Sequence, residues 1–444
     1  MKRRFTLLLL LYLLFHLPFT CSYAQTFADP SLSAEIARIK IIDNHAHPMR
    51  FTATGEPPDN EYDALPGEGL EAPGLPFRLG PDNPEWIEAW RALFGYKYTD
   101  ASPEHMRELT DAKLRVMIEQ GERYPAWVLD SIGIDTMLAN RVAMGKGLVT
   151  GRFRWVSFVD ALLFPLSNEQ SKSVNPDYRV FFTEEERLFK RYLRESGLSA
   201  PPSTLDQYLR RVITPTLERQ KRAGAVAVKF EAAYLRSLDF SDATFADASR
   251  IYSRYARGVV PPAAEYKTLQ DFLFRHIARE AGKLSLAVHI HTGGGIGAYF
   301  NVTNSNPLLL MSAFNDKSLS RTNFVLIHGG WPFARQVTGL LNKQNVYLDF
   351  SAQSFILYPR ELSENIRAWL EFAPEKVMFG TDAFTFGPEV GWAEVAWLST
   401  RTGREALALA LTGMEKDKEI TRARALELAR MVLRENARNL YGFK

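Results

Sequence analysis

The chain has 444 residues, 46% of them hydrophobic and 24% charged, the balance of a globular protein rather than a disordered or fibrous one. Its 54 Lys and Arg against 51 Asp and Glu give a net charge of only +3, too small an excess to attract a nucleic acid or an anionic membrane. The length exceeds a typical single domain, although α/β barrels with insertions reach it as one unit.

The amino terminus reads Lys2-Arg3-Arg4, then residues 5–19, almost wholly apolar, then Ser22-Tyr23-Ala24. That is a basic n-region, an h-region and a small-x-small cleavage site. The expectation is a signal peptide cleaved after Ala24, export to the periplasm or the medium, and one mature domain over residues 25–444. A spanning helix would want about 20 apolar residues, and Pro18 interrupts this stretch. A lipid anchor at Cys21 is disfavoured by the bulk of Thr20 before it. Removing the leader leaves 51 basic and 51 acidic residues and no cysteine. Disulfides and thiolate ligands are then excluded, and a reactive site must be made of His, Asp, Glu and Lys.

Eight short β-branched or apolar runs follow in chain order: residues 39–47, 135–141, 153–161, 225–233, 284–292, 323–329, 346–352 and 376–383. Amphipathic segments at 269–281, 332–342 and 362–372 separate several of them. Residues 183–223 also read as helical, with a break at Pro201-Pro202. Eight strands alternating with helices predict a (β/α)8 barrel of the TIM type. A doubly wound open sheet is the alternative, but it would hold its site at one switch point. Two long insertions leave the carboxyl ends of the first and third strands, over residues 50–100 and 163–223. Insertions on that face are lids or specificity elements, with disorder the alternative for residues 59–74. Residues 420–443 read as a charged outer helix closing the barrel.

The first run ends in His45-Ala46-His47, two imidazoles on one side of an extended strand. The fifth ends in His289-Ile290-His291-Thr292-Gly293-Gly294-Gly295. His291 is nearer the carboxyl end and is the expected ligand, His289 a hydrogen-bonded interior residue, and the glycines let the backbone approach a bound molecule. The sixth presents His328, as a second-metal ligand, a general acid or base, or an electrophile. The eighth presents Asp382, a buried carboxylate that a metal bond would satisfy. This nitrogen and oxygen set suits Zn²⁺, with Mn²⁺ or Fe²⁺ possible, and one or two ions per chain. Such an ion brings the pKa of water down to about 7, with Asp382 as general base. Lys229 in the fourth run has three readings: a carbamate bridging two ions, a direct substrate contact, or a packed stem with the ammonium snorkelling outward. Arg141, Tyr234 and Arg236 follow the second and fourth strands and either clamp a substrate carboxylate or sit in exposed loops. Trp331 and Phe333 line the pocket or cover the rim.

The motifs Asp43-Asn44-His45-Ala46-His47, Val288-His289-Ile290-His291-Thr292-Gly293, Leu326-Ile327-His328-Gly329-Gly330, Phe379-Gly380-Thr381-Asp382 and Glu435-Asn436-Ala437-Arg438-Asn439-Leu440-Tyr441-Gly442 resemble those of the amidohydrolase superfamily. The nearest branch is the amidohydrolase-2, or amidohydrolase-related, family. The stretch from His289 to Asp382 is similar to the amidohydrolase part of glutamine-synthetase-fused proteins. The resemblance implies a metal-dependent barrel in which His45, His47, His291 and Asp382 bind metal and His328 assists catalysis or binds a second ion. The expected activity is hydrolysis of an amide or related C–N bond in a small molecule. The branch also holds non-oxidative decarboxylases of aromatic or unsaturated acids, and a barrel with lapsed chemistry is a third reading. A homo-oligomer is compatible with all three.

Overall fold

A computed structural model describes residues 27–443 except 54, 72–73 and 149–150. The leader, Cys21 and the cleavage position at Ala24 lie outside the described residues. Among those described, no helix is long and apolar enough to cross a membrane.

All eight expected strands form, each shorter than its apolar run except β2, which begins one residue earlier. They are β1 Ile41–Ala46, β2 Ile134–Arg141, β3 Phe153–Phe158, β4 Ala225–Phe230, β5 Ala287–His291, β6 Phe324–Ile327, β7 Val346–Asp349 and β8 Val377–Met378. They pair in sequence order, each parallel to the next. The ring closes through Asn44 N–H to Phe379 O (2.9 Å), Asp382 N–H to His45 O (2.7 Å) and a parallel bridge between Ala46 and Ala383. The protein is a parallel α/β barrel. Parallel strands covered on both faces carry near-continuous apolar sequence, which is why the runs were legible.

Inside the ring a layer of Ile42, Leu138, Val156, Ala227, Val325 and Met378 fills the amino-terminal half. Ala437, Leu440 and Tyr441 from the end of the chain pack against it. The terminal segment therefore plugs the bottom of the barrel as well as flanking it. It is helical without a break from Arg422 to Tyr441, as read, with a π-helical stretch at Met431–Glu435 between its two α-helical parts.

The second insertion is helical as read, with Pro176–Glu195 and Thr214–Arg222 on either side of the predicted break. The first is more structured than its Pro and Gly content suggested. It contains the helix Pro84–Phe94, capped by Asn83, which buries Trp86, Trp90 and Leu93 against the helix Trp392–Lys416. That 25-residue helix, after β8, was not foreseen. Its small buried residues (Ala393, Ala396, Gly403, Ala406) weaken the usual apolar periodicity.

Candidate metal centre

His45 and His47 stand at the end of β1, where the pairing with β2 slips by one residue between Asp43 and Ala46. Such a bulge re-aims side chains. The two rings meet edge to face, with Nε2 atoms 3.4 Å apart. Asp382 Oδ1 is 3.0 Å from His45 Nε2 and 3.4 Å from His47 Nε2. His328 Nδ1 lies 3.8 Å from Asp382 Oδ2, and His291 Nδ1 lies 3.1 Å from His328 Nε2. The ends of β1, β5, β6 and β8 thus converge, as the sequence required of a closed ring. His328 (φ 69°) and Asp382 (φ 54°) both hold left-handed backbone. Non-glycine residues keep that conformation only where surrounding structure enforces it, and such strain gathers at functional sites.

Two carboxylates below the cavity enforce it. Asp43 accepts Thr381 N–H (2.9 Å) and Thr381 O–H (2.6 Å), tying β1 to the turn that presents Asp382. Asp349 accepts His328 N–H (3.0 Å), Ser351 O–H (2.5 Å) and the Asn44 amide (2.6 Å). Asn44 in turn accepts the Tyr441 hydroxyl (2.5 Å), and Tyr441 accepts His289 Nε2–H (2.7 Å). His289 is therefore the hydrogen-bonded interior residue expected of it.

This network fixes tautomers. His291 Nε2–H donates to Gly294 O at 2.9 Å, so its Nδ1 carries a lone pair. The Ser351 proton goes to Asp349, so Ser351 Oγ accepts from His328 Nδ1–H at 2.9 Å, leaving a lone pair on His328 Nε2. Two lone pairs then face each other across 3.1 Å in a site where both rings are buried. Only a cation or a proton reconciles them. The nitrogen and carboxylate donors present fit a divalent transition metal on that ground.

Lys229, fully buried, places Nζ 3.3 Å from His45 Nε2 and 3.9 Å from Glu231 Oε1. The snorkelling reading is thereby excluded. Asp160 receives Glu231 N–H on both oxygens at 2.8 Å, and Glu185 stands fully buried nearby. Burial pushes the Asp160 carboxyl up to about 7 and those of Glu185 and Glu231 well above the carboxylate range. Burial also holds His45, His291 and His328 well below the usual imidazole value, helped in each by the Lys229 charge. For His47 burial acts the same way but is outweighed by the Asp63 and Asp382 carboxylates, which raise it to about 10.

Asp63, from the first insertion, is the site residue that sequence reasoning missed. Its Oδ2 is 2.9 Å from His47 Nδ1, at ion-pair distance but off the line of the N–H bond. Nothing local marks it among the other acidic residues of that segment. Leu65, Ile296 and Phe384 form the apolar side of a cavity of about 60 Å³ whose polar side is the His, Asp and Lys set.

Tyr234 lines this cavity, its ring 4.5 Å from that of His291. Arg141 does not. It is fully buried, bidentate to Asp59 (2.7 and 2.9 Å) and bonded to Pro48 O, so it clamps the first insertion and not a substrate. Arg236 is likewise occupied, by Asp271 (2.6 Å), Gln270 (2.9 Å) and two carbonyls, over the Phe240 ring. Trp331 is not among the residues lining the cavity. Its carbonyl accepts Gly294 N–H at 2.6 Å, and a Cβ at Gly293 (φ 82°) would fall 2.0 Å from that oxygen. Gly293 and Gly294 thus admit the Trp331 loop, and Gly295 the rings of Phe300 and Tyr234, rather than a ligand.

Residues 196–443 match the family model described as amidohydrolase. The chain belongs to the amidohydrolase family. The matched span includes Lys229, His291, His328 and Asp382, while His45, His47 and Asp63 precede it and are joined to it by the fold. No curated protein matches the sequence. Among solved structures, a Lactobacillus casei protein assigned as a metal-dependent hydrolase is similar at 15% identity, TM-score 0.62, over 94% of this chain and 98% of that one. Uronate isomerase of Thermotoga maritima is similar at 14% identity, TM-score 0.59, over 82% and 79%. Glucuronate isomerase of Caulobacter crescentus is similar at 13% identity, TM-score 0.55, over 93% of each. At these identities the likeness is one of fold.

Proposed function

We propose that this amidohydrolase hydrolyses an amide or related C–N bond in a small, uncharged molecule. The observation that carries the reading is the meeting of His45, His47, His291, His328 and Asp382 at one mouth of the barrel. They would hold Zn²⁺, or Mn²⁺ or Fe²⁺, as one or two ions per chain. When bound, such an ion supplies Lewis-acid polarisation and lowers the pKa of water to about 7.

The chain's own residues do the rest. Asp382, whose side chain is 14% exposed into the cavity, takes the proton of the attacking water at a carboxylate oxygen and returns it to the leaving nitrogen. His328 has two roles open to it: a proton carried against the developing oxyanion, or a lone pair shared with His291 toward a second ion. Lys229 also has two, as a carbamate bridging two ions or as an ammonium touching the substrate. Tyr234, Leu65, Ile296 and Phe384 supply the wall against which a neutral substrate body packs and water is excluded.

The competing reading is a decarboxylase of an aromatic or unsaturated acid. Among the described residues lining the cavity there is no arginine, so a substrate carboxylate would find no bidentate partner and only Lys229 or a bound ion to pair with. Arg141 and Arg236, the two that sequence placed nearby, are both ion-paired elsewhere. A barrel with lapsed chemistry would have no use for left-handed backbone at both His328 and Asp382. The finer likeness to the amidohydrolase part of glutamine-synthetase-fused proteins, export after cleavage at Ala24, and a soluble homo-oligomer acting on a small molecule away from nucleic acid belong to the same proposal. Amino-terminal sequencing of exported protein tests the cleavage.

The functional test is a panel of neutral amides with matched free carboxylic acids. Release of amine or ammonia supports the proposal. CO₂ without amine gives the decarboxylase, and tight metal binding with no turnover gives the lapsed barrel.

A further inference from the structure

Two ring nitrogens of His47 have different neighbours. Nε2 faces His45 and Asp382, each at 3.4 Å, and Nδ1 faces Asp63 at 2.9 Å. A carboxylate charge 2.9 Å from Nδ1, although off the line of its N–H bond, favours the proton on that nitrogen and so favours Nε2 as the donor atom. Asp63 does not belong to the barrel. It comes from an insertion that has its own fastenings, four residues before and two after.

Asp59 is 3% exposed and receives both arms of Arg141 together with Arg50 N–H (2.9 Å). Glu61 O accepts Val142 N–H at 2.9 Å, and Glu61 Oε2 pairs with Arg191 of the second insertion at 2.6 Å. Asp63 Oδ1 accepts Leu65 N–H at 3.0 Å, and Ala64 and Leu65 are buried in the core. Residues 59–65 thus run from the Arg141 clamp at the end of β2 to His47 at the end of β1, with Leu65 finishing on the cavity wall.

We infer that Asp63 is the positioning carboxylate of the metal centre, so that metal affinity and the seating of residues 59–65 are one equilibrium. An ion that favours His47 Nε2 as donor favours the Asp63 contact on the other side of the ring, and by reciprocity the seated insertion tightens the ion. This rests on the metal-centre reading above, but it concerns a segment that the barrel does not require.

The test uses the full mature chain, freed of metal and titrated with Co²⁺, with visible absorption and chelator competition as readouts. Asp63→Asn is expected to bind Co²⁺ about 10–100-fold more weakly. Asp63→Glu should recover part of the loss and of the cobalt spectrum. Asp59→Asn, which alters no residue of the centre, should also weaken binding. In the unaltered protein Co²⁺ should slow proteolysis within residues 50–74, a readout that stands even where a variant does not fold. Binding by Asp63→Asn and Asp59→Asn within twofold of the unaltered chain, or cleavage of residues 50–74 at the same rate with and without Co²⁺, overturns the inference. Loss of one whole metal equivalent with the other unchanged overturns it as well, by making Asp63 a ligand. Failure of the unaltered chain to bind Co²⁺ at all strikes the functional reading instead.

Discussion

The Asp349 carboxylate accepts the backbone N–H of His328 at 3.0 Å, and through Ser351 it also sets which ring nitrogen of His328 bears the proton. One side chain at the end of β7 thus governs both the left-handed backbone of His328 and its tautomer. Asp349→Asn keeps the shape but must turn an NH₂ toward one of four donors, the three already named and Ser351 N–H at 3.1 Å. The expected result is a fall in kcat of about 10–100-fold, the scale for losing a partner that orients a metal-site residue. An unchanged kcat would remove Asp349 from the account.

Asp382 is the residue whose loss should cost most in chemistry and least in fold. Its Asn variant should lose about 10²–10⁴-fold in kcat, the range for general acid–base groups, with far-ultraviolet circular dichroism intact. Turnover near the original level would take the carboxylate out of the reaction.

Arg141 separates a clamp on the insertion from a clamp on substrate. Arg141→Met leaves Asp59 charged and buried with Arg50 as its remaining cation, its N–H at 2.9 Å and its guanidinium at 3.8 Å, a loss of up to about 3–5 kcal/mol in urea unfolding. The double variant Arg141→Met with Asp59→Leu should recover much of that stability. A rise in KM with stability unaltered would restore Arg141 to the substrate.

His276 makes an acid-sensitive contribution away from the site. Burial lowers its pKa from the usual 6.5 to about 4, with the Glu280 charge opposing, and its ring stacks near Phe272. Between those values the unfolded chain binds the proton and the folded chain does not, so stability falls as pH drops from 6.5 to about 4 and levels off below. His276→Phe should flatten that limb of a plot of Tm against pH. An identical limb in the variant would assign the acid sensitivity elsewhere.

The strands and their terminal residues were legible because a parallel barrel writes each strand as a continuous apolar run and puts its chemistry where the run stops. His45, His47, His291, His328 and Asp382 are all of that kind. What sequence could not give depends on pairing across long separations. Arg141 and Arg236 sit where a substrate clamp belongs, and only the fold shows Asp59, 82 residues away, and Asp271, 35 away, already occupying them. Asp63 and Tyr441 reach the centre from an acidic loop and a charged terminal helix. No periodicity distinguishes either from its neighbours.

The central claim is that distant strand ends meet on a divalent ion, and elemental analysis of the purified mature protein, with and without bicarbonate and before and after chelation, tests it most directly. The account predicts at least one equivalent of transition metal per chain, lost in His45→Ala and in Asp382→Ala, with turnover abolished by chelation and restored by the metal. A second equivalent that requires bicarbonate would place a carbamate on Lys229. Full activity in protein shown to carry no metal would contradict the account.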